Sequence, residues 1–469
     1  MVRASSIGGW WRCSAWALCA LAAGWQAGVG RAAAQEEQAR KPAVDTEELD
    51  RLTKWYFLAP ERETRLRLGV QISELVGGDV KPVAEALERA QLWAPQPAGV
   101  TEFDLERASG QSTALAVRVP RGYDPQQRYP LILGLHGMNG RGEQVLRYLE
   151  HCLGEAIDEY LVAAPTDYRG TWFNIDPEEA GDPSALLRAM RRRYHVDTER
   201  VYVFGYSAGG HGAFLLATLL TDEFAAAVSL AGTLVVPVRD QAMPLLLPNL
   251  ANLPLLAVWG EQDVGDDRRA VTPGGGIAGS NRQIRRLATG LNLPLEAVEL
   301  AGVGHRNVEP PIDRLHKFLA MKRHPAPRQV GHWFRFPAQG RISWLRQRRF
   351  GGQPWAGDQI SIMSRPGADL DEQITEFLTR RLAYVGGRIE GQRIEVEVRR
   401  TAELEILLND RLIDLEQPIT VTAGGKIRYE GTVEPRVTTM LEIAHRDWDL
   451  QRLYSVRLLM RARSKAWQE

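Results

Sequence analysis

The chain predicts an α/β fold, a mostly parallel sheet covered by helices on both faces, from three observations. Largely apolar segments at 131–135, 161–165, 201–205, 225–231 and 255–260, and a more mixed one at 295–300, lack the strict alternation of a half-exposed strand, as strands buried on both faces do. Helix-length segments at 142–160, 183–194, 281–291 and 311–321 fall between or after them, the pattern of βαβ crossovers. The segment at 201–205 runs directly into Gly205-Tyr206-Ser207-Ala208-Gly209, and a Leu- and Ala-rich helix follows. A strand, a G-x-S-x-G turn and a helix in that order place a serine at the top of a buried strand.

Composition sets the scale. The 469 residues are 44% hydrophobic, enough for one large core and an accessory module. Lys+Arg and Asp+Glu are both 58, so no global charge favours nucleic acid or an anionic membrane as partner. Arg191-Arg192-Arg193 and Arg346 with Arg348-Arg349 read as solvated faces. Cys13 and Cys19 lie in a segment expected to be removed, which leaves Cys152 as a small buried residue with no disulfide partner.

In chain order, residues 1–34 read as an export signal. Arg3 and Arg12 precede or flank an apolar run at 13–27, and Ala32-Ala33-Ala34 is a small-residue cleavage site before Gln35. The run is too short and too glycine-interrupted to span a bilayer. A secreted or periplasmic product without stable membrane insertion is expected. Residues 35–99 form a helical lead-in, with Leu49, Leu52, Trp55 and Tyr56 at helical spacing and Gly77-Gly78 dividing two helical pieces. Residues 100–324 form the α/β catalytic domain, which begins with strands around the turn at Ser109-Gly110. After Pro325-Ala326-Pro327 the pattern changes, and 325–469 is expected to be a separable β-rich C-terminal module. Its strands are expected at 332–336, 342–346, 359–364, 393–399 and 403–408, with hairpin signals at Asn409-Asp410 and Gly424-Gly425. A helix at 435–445 and a strand at 454–460 close the module.

Three further elements complete a constellation with Ser207. Asp263 follows the strand at 255–260, where a carboxylate can hold a histidine in one tautomer and stabilise its protonated form. Glu261, Asp266 and Asp267 are its competitors; the last two sit beside Arg268 and Arg269 and read as solvated. His305, in Gly302-Val303-Gly304-His305, follows the strand at 295–300, and its glycines allow close approach to another loop. The order Ser, Asp, His is that of α/β-hydrolases. The loop Leu135-His136-Gly137-Met138-Asn139-Gly140 follows the strand at 131–135. Backbone amides of Met138 and Ala208 are the expected oxyanion hole, with His136 bracing the loop.

The stretch from Tyr194 through Gly210, with Gly205-Tyr206-Ser207-Ala208-Gly209 at its end, resembles secreted α/β-hydrolases of the feruloyl esterase and polyhydroxybutyrate-depolymerase type. It is also similar to predicted peptidases of the prolyl oligopeptidase-like group. The resemblance covers about 118–322. It implies the α/β-hydrolase fold, a serine hydrolase with catalytic Ser207, Asp263 and His305, and no metal or organic cofactor. Only 232–254 separates two neighbouring strands, too little for a large cap domain, and no propeller precedes the fold, so an open cleft is expected. Tyr206, Trp172 and Phe173 are candidates for substrate contact, although the aromatic residues of the loop 166–175 could equally pack a surface. An ester is the expected small-molecule or oligomeric substrate. A peptidase acting on small peptides, and a non-catalytic scaffold that binds cell-wall or polysaccharide material, are the alternatives. Fold and triad do not fix a substrate.

Overall fold

Strand order follows from what each strand can bury. A computed structural model describes residues 44–107, 110–166, 182–234, 243–264, 275–354, 367 and 369–461. The export signal, Trp172 and Phe173, Asp266 and Asp267, and the strand expected at 359–364 lie outside the described residues. An eight-stranded sheet runs in the order β1-β2-β4-β3-β5-β6-β7-β8. Its strands are β1 (Gly99–Glu106), β2 (Ser112–Val119), β3 (Tyr129–Leu135), β4 (Leu161–Pro165), β5 (Val196–Tyr206), β6 (Ala226–Leu230), β7 (Leu255–Gly260) and β8 (Leu295–Leu300). β1 and β2 pair antiparallel, β2 meets β4 antiparallel, and the pairs from β4 to β8 are parallel. The continuous apolar runs occupy the middle: β4, β6 and β7 are buried at every position. β1 takes the edge, where its exposed residues alternate with half-buried ones. The expected α/β class is therefore the observed one.

Helices cover both faces. α4 (Gly142–Leu153) ends where Gly154 adopts φ 54°, seven residues before the helix end expected from the sequence; a 3₁₀ turn carries the chain on to Glu159. α5 (Asp182–Arg193), α6 (Ala208–Leu219), α7 (Gly276–Gly290) and α8 (Ile312–Leu319) complete the layers. α6 is buried on nearly all sides, as a helix apolar all round must be. One side packs on β5 and β6. Across another, Asn249 donates to the carbonyls of Thr218 and Trp333, at 2.9 and 2.7 Å, and joins α6 to the C-terminal segment.

That segment contains two sheets, ordered β10-β11-β14-β17 and β16-β15-β13-β12-β9. Their strands are β9 (Gln329–Phe334), β10 (Arg341–Ile342), β11 (Leu345–Phe350), β12 (Ala383–Glu390), β13 (Arg393–Arg399), β14 (Thr401–Leu408), β15 (Ile419–Ala423), β16 (Lys426–Gly431) and β17 (Val456–Arg461). Ile394 and Val396 are buried between exposed Arg393, Glu395 and Glu397, the alternation of a half-exposed strand. Gly424-Gly425 turns β15 into β16, as expected. Asn409-Asp410 is no hairpin. β14 pairs with β11 and β17, β15 pairs parallel with β13, and the side-chain amide of Asn409 donates to the Leu453 carbonyl at 2.8 Å. A helix at Leu370–Arg381 was not read from the sequence, although Ile374, Phe377 and Leu378 have helical spacing; Leu378 and Leu382 are buried in the core of the large sheet.

The lead-in forms three helices rather than two, Thr46–Leu58, Arg62–Leu75 and Val80–Arg89, with an additional break at Pro60. Tyr56 and Phe57 pack against His445 and Trp448, at the end of the helix Val437–Asp447 in the C-terminal segment. Trp93 stacks on His195 at 3.8 Å and donates to the Arg191 carbonyl. Residues 48–469 form one compact unit.

Charge holds the part built on the eight-stranded sheet and the C-terminal segment together. Asp222, just beyond α6, accepts from Arg452 at 2.6 Å and from the Ser343 amide at 2.8 Å, and lies 2.9 Å from Arg341 Nε. Arg323 reaches Asp449 at 2.7 Å, and Thr198 donates to the same carboxylate at 2.6 Å. Arg191 pairs with Glu223 at 2.8 Å and Arg346 with Asp447 at 2.8 Å. Burial alone would raise the pKa of Asp222, but Arg452, Arg341 and Arg323 bring it down to about 2. Arg191 and Arg346 are thus not solvated faces: each has an acid far away in sequence that its own neighbourhood does not reveal. Arg192, Arg348 and Arg349 are exposed.

Candidate active site

Ser207 lies between β5 and α6 at φ 56° and ψ −117°, a region costly for a residue with a side chain. The turn is possible because the residues two positions to either side, Gly205 and Gly209, have no Cβ. A Cβ on Gly205 would lie 1.9 Å from the Gly209 carbonyl oxygen, and one on Gly209 would lie 2.0 Å from the Leu135 carbonyl oxygen. The Ser207 amide donates to the Leu230 carbonyl at 2.8 Å, which fixes the turn to β6. Ala208 opens α6, whose first amides have no acceptor within the helix and point toward the serine's surroundings.

Ser207, His305 and Asp263 are joined in series. Ser207 Oγ lies 2.7 Å from His305 Nε2, and His305 Nδ1 lies 2.8 Å from Asp263 Oδ2. A carboxylate can only accept, so His305 carries its proton on Nδ1 and presents Nε2 to the serine hydroxyl. The Asp263 side chain is 8% exposed and that of His305 is 43% exposed, so the carboxylate is buried behind an accessible imidazole. The hydrogen bond that His305 donates to Asp263 raises the imidazole pKa above 6.5, against the opposing effect of burial.

The acid and base loops are packed backbone to backbone. A Cβ on Gly260 would come within 2.2 Å of the Val303 carbonyl oxygen. The amides of Glu261 and Gln262 donate to the carbonyls of Leu300 and Val303, at 2.9 and 2.8 Å. Asp263 is held by its own amide to Gly260 and by its carbonyl, which accepts from Ala278 in α7. Glu261 points elsewhere: its carboxylate accepts from the Gly302 amide at 2.9 Å. It therefore braces the turn before His305 and does not reach the imidazole.

The loop after β3 reaches the serine. A Cβ on Gly137 would be 3.5 Å from Ser207 Cβ. His136 Nδ1 donates to the Gly137 carbonyl at 2.6 Å, and the Gly140 amide donates to the same carbonyl at 3.0 Å, closing a turn in which Asn139 has φ 57°. Met138 is exposed on this turn and lines a cavity of about 260 Å³ with Gly137, Gln144, Tyr148, Phe204 and Tyr206. The walls are largely apolar and aromatic, suited to the non-reacting part of a small substrate.

Tyr206 has a second attachment that sequence did not reveal. Its ring lines the cavity, while its hydroxyl donates to the His305 carbonyl at 2.8 Å. Tyr148 extends the same fastening, donating to the Val308 carbonyl at 3.1 Å. Both phenols have raised pKa values, chiefly through burial, and so remain donors. The signal in the sequence was only a tyrosine immediately before the serine, which says nothing about the loop 99 residues later that it binds. No group of three or more His, Cys, Asp or Glu side chains among the described residues is arranged to hold a metal ion. No helix among the described residues is long and apolar enough to cross a membrane.

The sequence model of the prolyl oligopeptidase family matches residues 169–243, a stretch that includes Ser207. Feruloyl esterase C of Emericella nidulans is 26% identical over 130 residues, which are 25% of this chain and 46% of that protein. The bifunctional acetylxylan esterase/xylanase XynS20E of Neocallimastix patriciarum is 26% identical over 174 residues, 34% of this chain and 26% of that protein. The chain therefore spans less than half the length of either relative. The crystal structure of LpqC, a poly(3-hydroxybutyrate) depolymerase from Bordetella parapertussis, aligns at 19% identity and a TM-score of 0.36, over 45% of this chain and 86% of that one.

Proposed function

Because the chain is a member of the α/β-hydrolase superfamily, we propose that it is an exported serine hydrolase that cleaves carboxylic esters through an acyl-enzyme. One observation carries this reading: the serine with positive φ, its hydroxyl 2.7 Å from an imidazole that a buried carboxylate holds at 2.8 Å. His305 Nε2 takes the Ser207 proton as Oγ attacks the ester carbonyl. Asp263 stabilises the resulting imidazolium. The developing oxyanion is held by the backbone amides of Met138, on the loop against Ser207, and Ala208, at the start of α6. His305 then gives its proton to the leaving alkoxide, and water releases the acyl group by the same steps in reverse. These steps use protein groups alone.

The cavity beside the Met138 loop, with Tyr206 in its wall, is the proposed seat of the acyl or alcohol group. Trp172 and Phe173 remain candidates for substrate contact. Residues 1–34 support export, to the periplasm or beyond. A peptidase is the second reading, favoured by the family match at 169–243. A fluorophosphonate probe tests the mechanism: it should label the wild-type protein at Ser207, and absence of labelling would refute the acyl-enzyme. Rates on p-nitrophenyl esters set against aminoacyl anilides decide between the two readings.

A further inference from the structure

We propose that the polar cavity between the catalytic part and the C-terminal segment binds a small oxyanion, either inorganic phosphate or the phosphate of a small monoester. The cavity has a volume of about 240 Å³. It lies at the opposite end of α6 from Ser207, about 18 Å away for 12 residues at 1.5 Å each. One wall is a single face of α5, where Ser184, Arg188 and Arg191 recur at i, i+4 and i+7. The other is built from the turn at Gln339 and Gly340 and from β11.

The charge balance of the lining favours an anion. Arg188, Arg191, Arg341 and Arg346 face Asp222, Glu223 and Asp447, four cations against three carboxylates. Each carboxylate is already paired: Glu223 with Arg191, Asp447 with Arg346, and Asp222 with Arg341. Two more arginines reach them from outside the lining, Arg452 at 2.6 Å from Asp222 and Arg446 at 3.3 Å from Asp447. Arg188 has no ion-pair partner among the described residues, so the surplus positive charge falls on the cavity wall.

The unmatched hydrogen-bonding groups include donors. Gln339 is 1% exposed, and its side-chain oxygen accepts from the amides of Arg335 and Phe336, at 3.1 and 3.2 Å. Its Nε2 has no partner among the described residues, and neither has the buried Nε of Arg191. Two acceptors are unmatched as well: Gln347 Oε1, which suits the hydroxyl of a monoprotonated phosphate, and Asp222 Oδ2, which lies 2.9 Å from Arg341 Nε. Buried polar groups left without partners are costly, and these belong to residues that line one space. At about 30 Å³ per water, the cavity has room for a tetrahedral oxyanion and a few waters. Arginine on one wall and an amide donor on the other suit an anion that accepts in several directions.

The test is thermal unfolding and titration calorimetry of the full chain at constant ionic strength, with inorganic phosphate, glycerol phosphate or chloride as the anion. Phosphate at about 10 mM should raise Tm by roughly 3 °C or more over chloride, with calorimetric binding at one site. A larger shift with glycerol phosphate assigns the site to a monoester, and a larger shift with phosphate assigns it to the free ion. Arg188→Gln should abolish the shift and leave ester hydrolysis in chloride unchanged. Gln339→Glu keeps the acceptor, removes the donor and adds a negative charge, and should do the same. Arg188 is half-exposed, so its variant decides the matter if the Gln339 variant does not fold. Equal Tm values in phosphate and chloride, or a phosphate shift that survives in Arg188→Gln, would overturn the proposal.

Discussion

The Tyr206 hydroxyl donates to the His305 carbonyl at 2.8 Å, so the residue before the serine fastens the backbone of the histidine that the serine contacts. The register between Ser207 and His305 is set by this bond as well as by the strands below it. Tyr206→Phe removes one net hydrogen bond of about 1 kcal/mol and should lower kcat about 5-fold with KM nearly constant. A raised KM at unchanged kcat would instead make the phenol a substrate contact.

Ser207→Ala should reduce ester hydrolysis by roughly 10³-fold or more and abolish fluorophosphonate labelling, with the circular dichroism spectrum unchanged. Retained turnover in a folded variant would remove Ser207 from the mechanism.

Asp263→Asn should cut kcat by roughly 10⁴-fold, because an amide facing Nδ1 favours the wrong imidazole tautomer. Glu261→Gln should have a small effect on kcat, since an amide oxygen can still accept from the Gly302 amide. The assignment fails if the Glu261 variant is the inactive one.

The pH profile follows from the His305–Asp263 pair. Asp263 stabilises imidazolium and so raises the pKa of His305 above 6.5. The neutral imidazole that can accept the serine proton therefore accumulates only as pH rises through that higher value. Initial kcat/KM on a p-nitrophenyl ester should fall on the acid side with a midpoint above 6.5. The effect on stability has the opposite sense: the pair stabilises the fold below the unfolded pKa, and that gain is lost as pH rises through the folded one. A rate profile flat down to pH 5 would exclude His305 as the base.

The charged junction makes a prediction about separability. Arg323→Met leaves Asp449 buried with one cation fewer, and should destabilise the chain by about 3–5 kcal/mol in urea unfolding. Ending the chain at residue 325 removes Arg341, Arg452 and Asp449 together and should leave the catalytic part unable to fold. A soluble, active fragment of residues 35–325 would instead restore the separable module that the composition change at Pro325 suggested.

What was legible in the sequence follows physical periodicity. β7 has the bounds its apolar run suggested, β8 those expected for the strand at 295–300, and β13 those of its alternation. Ser207, Asp263 and His305 could be singled out because each follows an expected strand in a turn that contains glycine. Pairing was less accessible. Nothing near Asn409 indicates that β14 joins β11 and β17, because that choice rests on residues more than 40 positions away. Arg191 and Arg346 were read as solvated because a local window contains their charge but not their acid. The fastening of His305 by Tyr206 was hidden for the same reason.

The ion pairs across the junction also impose a sequence of events. Arg452 follows Asp222 by 230 residues, and Asp449 follows Arg323 by 126. As a chain emerges from the ribosome, the nucleophile turn and its sheet are complete while Asp222 and Arg323 still need water around them. Burying them early leaves each short of its close ion pair, Asp222 without Arg452 and Arg341, and Arg323 without Asp449, and so costs desolvation free energy that the full chain offsets. The sheet that carries Ser207 is therefore expected to complete its packing only together with the C-terminal segment.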